Sequence, residues 1–152
     1  MKKLIFLFLC TAILAILFAC NQSSKNAEAN ERGNHADTPT KGLMLNNGAK
    51  WQSDSSTNRN VTDVRSIADN FKILPHPSLN EYHILGRDLS NSLNKMIQEC
   101  RMKGPDHDAL HHWLEPVLKG SNQLKDITDT TTARTTFDSI NNQLDIYHNY
   151  FK

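Results

Sequence analysis

Cysteine is nearly absent from this chain of 152 residues. There are three, and only Cys100 lies beyond the first twenty positions. One thiol cannot build an internal disulfide framework, so a stapled secreted miniprotein is excluded. Net charge is also lacking, at +1. Without residues 1–19, which carry Lys2, Lys3 and no acid, the remainder is one charge negative. Such a balance gives no electrostatic case for nucleic acid. Long apolar runs are missing after Ala19, which excludes a multi-pass membrane protein. Aromatics make up only 7% of the chain, and no stretch alternates apolar and polar residues long enough to read as a strand.

The first twenty residues are of a different kind. Met1-Lys2-Lys3 is a short basic start, and Leu4–Ala19 is apolar apart from Thr11. The run falls short of the roughly 20 residues that span a bilayer comfortably. It therefore reads as a signal peptide over residues 1–19, against the alternative of an uncleaved anchor helix. Leu17-Phe18-Ala19-Cys20 resembles the lipobox of bacterial lipoproteins, with Phe18 where a small residue is commoner. The resemblance implies cleavage before Cys20, lipidation of its thiol and a membrane partner. Several acyl chains hold a protein stably where one does not. Asn21 rather than Asp after that cysteine implies, by the same resemblance, the outer membrane, facing periplasm or exterior.

Residues 20–60 are rich in Asn, Ser, Gly, Glu and Lys, with Trp51 the only aromatic. Such a segment buries too little apolar area to offset its ordering entropy, and reads as a flexible tether. Leu43-Met44-Leu45, Asn46-Asn47-Gly48 and Trp51 form an apolar island around a turn signal. It either docks on the folded part or is ordinary linker.

Residues 61–152 carry helical periodicity. Val64, Ile67, Phe71 and Leu74 form one stripe, ended by Pro75-His76-Pro77. Tyr82, Leu85, Leu89, Leu93, Met96 and Cys100 form a second, ended by Gly104-Pro105. Leu110, Leu114, Val117, Ser121 and Leu124 form a third, with Pro116 expected to kink it and free the carbonyl of His112. Ala133, Phe137, Ile140, Leu144, Tyr147 and Phe151 form the fourth, with Asp129 and the threonines after it offered as N-caps. Steps of three and four predict an all-α fold. Four helices with short connections predict an up-down-up-down four-helix bundle behind the tether.

One stretch carries a hint of chemistry. Cys100, Met102, His107 and His111 fall around the turn joining the second and third helices. The pattern C-x-M-x₄-H-x₃-H-H is similar to a run in small helical-bundle envelope lipoproteins of Gram-negative bacteria, a resemblance that supplies no activity. His107 and His111 are one turn apart and share a helix face, so they can chelate one ion. Thiolate and thioether are soft ligands and imidazole is borderline, a mixture that suits copper(I) and after it zinc. His148, expected at the same end, is a further candidate ligand. His112 is rotated about 100° from His111 and should face solvent. His76 and His83 belong to the opposite end.

The plainer reading is that Cys100 is a small buried hydrophobe, Met102 covers the turn and the histidines sit on the surface. No zinc-signature spacing, C-x-x-C-H, H-E-x-x-H, G-x-S-x-G or P-loop occurs, so an enzyme is the least supported class. The two functional expectations are soft-metal binding by a lipid-anchored envelope protein, and an interaction or structural lipoprotein that binds another envelope protein.

Overall fold

The computed structural model describes residues 42–152. The expected signal peptide, Cys20 and residues 21–41 lie outside them. The described chain is all-α. Its elements are α1 (Ser55–Lys72), α2 (Leu79–Glu99), α3 (Pro105–Leu124), α4 (Thr130–Asp145) and a single turn, α5 (Tyr147–Tyr150). Among the described residues there is no strand, only two isolated bridges, Asn46 with Ala49 and Trp51 with Phe151. No helix among them is long and apolar enough to cross a membrane.

Each helix starts where its first N–H groups find an acceptor. Asp54 accepts from the Thr57 amide, Ser78 and Glu81 form a reciprocal capping box, and Asp129 accepts from the Thr132 amide. α3 instead opens on Gly104, at φ 65°, followed by Pro105 in its first turn. That pairing suits a sharp entry, because glycine tolerates positive φ and proline loses no helical bond at that position. Asp106 and Asp108 occupy the positive end of the helix dipole. α3 runs on through Pro116 to Leu124.

α1 opens at Ser55, inside the stretch expected to be tether, rather than near Val61. Its added turn buries Thr57 and Asn60 completely, and polar residues on the inner face leave no apolar stripe to read. At the far end Leu74 leaves its stripe and is 40% exposed, because α1 stops at Lys72 ahead of Pro75. The fourth stripe is carried by two elements, since the helix breaks at Ile146 before α5.

The core is one cluster fed by all four long helices, with Val64, Leu89, Leu93, Met96, Trp113, Val117, Leu124 and Tyr147 among its most enclosed members. α1 packs on α2, α2 on α3, and α3 on α4. Trp113 Nε1 donates to the Gln143 carbonyl at 2.8 Å while Gln143 Nε2 donates to the Trp113 carbonyl at 2.9 Å, a reciprocal tie between α3 and α4. Two glycines permit close approach. A Cβ on Gly86 would stand 2.8 Å from Leu124 Cβ, and one on Gly120 would stand 2.7 Å from Ile140 Cγ1.

The island before α1 docks. Leu43 is 4% exposed and belongs to the core. Asn47 and Gly48, both at positive φ, turn the chain so that Asn46 and Ala49 pair, and Trp51 Nε1 donates to the Met44 carbonyl. Trp51 and Ser53 then bond the backbone of Tyr150 and Lys152, which ties the two ends of the described chain together.

Candidate functional site

Cys100 is the C-cap of α2. It is extended at φ −62°, ψ 130°, half-buried, and its amide still donates to the Met96 carbonyl. Across the turn, His107 lies in the first turn of α3 and His111 one turn further on. Their rings are 4.5 Å apart between centroids and tilted by 43°. Cys100, His107 and His111 line one small cavity of about 30 Å³, together with Met96, Ile97, Leu110 and Leu114. That is room for a water or a single ion. The lining is otherwise apolar, as expected where α2 and α3 meet along their core stripes.

Met102 is elsewhere. Its sulfur lies 3.7 Å from Ser53 Oγ and it does not line the cavity with the cysteine and the histidines. The cause is the docked segment ahead of α1, which brings Ser53 across the end of the fold. His148 is exposed on α5, with its ring against Tyr147 at 5.2 Å and its carbonyl accepting from Lys50 Nζ. His112 is exposed beside Gly42. At the other end His83 Nε2 lies 2.8 Å from the Ile127 carbonyl oxygen, and His76 is exposed at φ 51°. Three of the four expected ligands therefore share a cavity while Met102 is separate. Among the described residues no group of three or more His, Cys, Asp or Glu side chains is arranged to hold a metal ion.

A denser polar cluster surrounds Asp54. Its carboxylate accepts from the Thr57 amide at 2.6 Å, Ser56 Oγ at 2.8 Å and the Arg101 amide at 2.7 Å. Partial burial pushes its pKa up, but those hydrogen bonds together outweigh burial and hold it at about 2. Beside it the Tyr147 hydroxyl shares its proton between Ser53 Oγ and Asn58 Oδ1, at 2.8 and 2.9 Å. Burial pushes the Tyr147 phenol up to about 12. These groups fasten α1, α2 and α5 to one another and leave no free nucleophile or base. The sequence held one sign of them: Asp54 followed by serines and Thr57 is an N-cap pattern.

An apolar concavity lies at the opposite end, between α1 and α2. It measures about 310 Å³ and is floored by Ile67, Phe71, Leu74, Ile84 and Leu85 under a rim of Asn70, Glu81 and Asp88. Next to it Ile73 is 79% exposed and Ile84 is 41% exposed.

Compared with known protein families, curated proteins and solved structures, the chain matches none.

Proposed function

We propose that this chain is a lipid-anchored, non-enzymatic protein of the cell envelope. It is held at Cys20, on the outer membrane, by a flexible tether, and its up-down-up-down four-helix bundle serves as an interaction module for another envelope protein. The anchor rests on the lipobox resemblance. The interaction role rests on one structural observation, the gathering of exposed Ile73, Leu74 and Ile84 around the apolar groove between α1 and α2. The chain enters beside His112 and Asp106, where Gln52 donates its amide to Asp106 Oδ1 at 2.9 Å. Ile73, Leu74 and Ile84 are exposed at the other end of α1, a helix of 18 residues and roughly 27 Å. Exposed aliphatic side chains around a groove are what a protein partner covers.

The test uses the lipidated protein in its own membrane. A photo-crosslinking residue replaces Ile73 or Ile84, with Glu115 on α3 as a control face. A discrete adduct from the first two positions, absent from the third and lost on adding Leu74→Asp, is expected. Equal adducts from all three positions, or none from the first two, overturn the interaction role. Cys20→Ser is expected to leave an unprocessed, unlipidated precursor, and acylation persisting in that variant removes the anchor.

Soft-metal binding is a second reading, supported by the single cavity that Cys100, His107 and His111 line. Copper(I), and after it zinc, would have to draw the thiol and both rings inward, with Met102 and His148 left out. Loading the protein with each ion under reducing conditions and counting bound metal tests it. One equivalent, lost in Cys100→Ser and in His107→Ala, supports the reading. Binding that survives Cys100→Ser reduces it to chelation by surface histidines.

A further inference from the structure

The loop between α1 and α2 and the first turn of α4 line a pair of clefts whose polar wall none of the preceding roles uses. They measure about 290 and about 330 Å³ and share Pro77, Tyr82 and Arg134 as a common wall. Tyr82 is only 3% exposed, with its ring held against Phe71 at 4.9 Å between centroids. Its hydroxyl has no hydrogen-bond partner among the described residues, yet it is not one of the fully enclosed orphan atoms. The phenol oxygen is thus the open tip of a buried side chain, and Tyr82 lines both clefts. Arg134, one turn into α4, makes no ion pair among the described residues.

The two clefts differ in chemistry. The first adds His76, Thr130 and Thr131 to the shared wall and contains no acid. It lies beside the first turn of α4, whose amides at Thr131 and Thr132 are taken by the N-cap carboxylate of Asp129, so Arg134 and the Tyr82 hydroxyl are the donors left for a ligand. The second cleft adds the apolar Phe71, Leu74 and Phe137, with Lys72 and Asp138 at its edge.

We propose that this paired cleft binds a small organic oxyanion. The carboxylate or phosphate head sits in the first cleft on Arg134 and the Tyr82 hydroxyl, and a less polar body lies in the second. The guanidinium supplies a planar fork of donors matched to such a head. The phenol supplies a directed O–H that folding leaves unspent. The volumes fall at the low end of the roughly 300–1,000 Å³ typical of ligand sites, which favours a small molecule over a peptide. The site shares no residue with the cavity at Cys100 and is independent of the metal reading, while it borders the apolar groove between α1 and α2 through Phe71 and Leu74, so its test rests on Arg134 and Tyr82, which that groove lacks.

The full-length protein in detergent micelles, labelled for NMR, is titrated separately with acetate, phenylacetate and inorganic phosphate. Saturable shifts confined to Tyr82, Thr130, Thr131, Arg134 and the rings of Phe71 and Phe137 are expected, with phenylacetate binding more tightly than acetate. The comparison of acetate with phosphate assigns the head group. Arg134→Gln should weaken binding by about tenfold or more, the worth of a charge-assisted hydrogen bond. Tyr82→Phe should weaken it several-fold without lowering the thermal midpoint, since the hydroxyl contributes no bond to the fold. Three results overturn the proposal: no saturable shift with any probe, shifts spread over lysines on every face, or unchanged affinity in both variants.

Discussion

Asp54 concentrates several jobs on one carboxylate. It caps α1 through Thr57, and it reaches across to the Arg101 amide just beyond α2, so the opening of one helix is fixed to the close of the next. Asp54→Ala is expected to cost about 1–2 kcal/mol as a lost N-cap, with the Arg101 amide left to water. The pH dependence follows from a pKa held at about 2 in the fold against the ordinary 3.8. A lowered carboxylate pKa contributes stability that is complete above the unfolded value and is lost as pH falls through the folded one. Denaturant titrations of wild type and variant should therefore diverge at neutral pH and converge as pH drops from about 4 to about 2. Tyr147 has the opposite sign. Its burial raises the phenol from 10.0 to about 12, so the stabilisation it gives is complete below pH 10 and is lost as pH rises towards 12. Tyr147→Phe should lose about 1 kcal/mol at neutral pH, the net worth of its hydrogen bond. It should also flatten the alkaline limb of a stability profile measured by tryptophan fluorescence.

At the scale of elements, the apolar periodicity already contained most of the architecture. The third and fourth stripes are buried at every position, and the second at every position but Cys100, which is half-buried. Periodicity failed where the buried residue is polar, as at Thr57 and Asn60, and where a cap rather than a stripe ends the helix, as at Leu74. The proximity of Cys100, His107 and His111 was readable too, because a short turn and a one-turn spacing are local facts. The loss of Met102 to Ser53 was not, since it depends on a contact between segments 49 residues apart. Close helix approach is hidden for the same reason: nothing beside Gly86 in the sequence names Leu124 or the Ser121 carbonyl. A Cβ there would meet that carbonyl oxygen at 2.9 Å, and backbone cannot swing aside as a side chain can. Gly86→Ala gains about 1 kcal/mol of helix propensity but forces α2 from α3, an overpacking cost of about 1–3 kcal/mol. The variant is expected to be destabilised, read as a lower denaturant midpoint with an unchanged slope. Gly120→Ala would place its Cβ 2.7 Å from Cγ1 of Ile140, a buried β-branched side chain stiff at χ1, and is expected to be destabilising as well.

For the molecule as a whole, the segment ahead of α1 decides where the folded unit begins. Helical periodicity alone puts that boundary near Val61. The structure puts Leu43 in the core, bonds Trp51 and Ser53 to Tyr150 and Lys152, and seats Ser53 against the Tyr147 hydroxyl. A fragment of residues 61–152 lacks Leu43, the Asp54 cap, the first turn of α1 and the Trp51 and Ser53 partners of the final backbone segment. Losing a buried leucine costs about 2–5 kcal/mol and losing a cap about 1–2 kcal/mol, before the exposed faces of Tyr147 and Phe151 are counted. A small domain has a margin of roughly 5–15 kcal/mol, so these losses consume much of it. Residues 42–152 are therefore expected to unfold in one cooperative transition, and residues 61–152 to remain helical by circular dichroism but melt far earlier and with a broader transition. Equal midpoints for the two fragments would mean that the strap only decorates the bundle. The expected gap would instead make residues 42–54 part of the folded unit, and would end the proposed tether from the membrane anchor no later than Gly42.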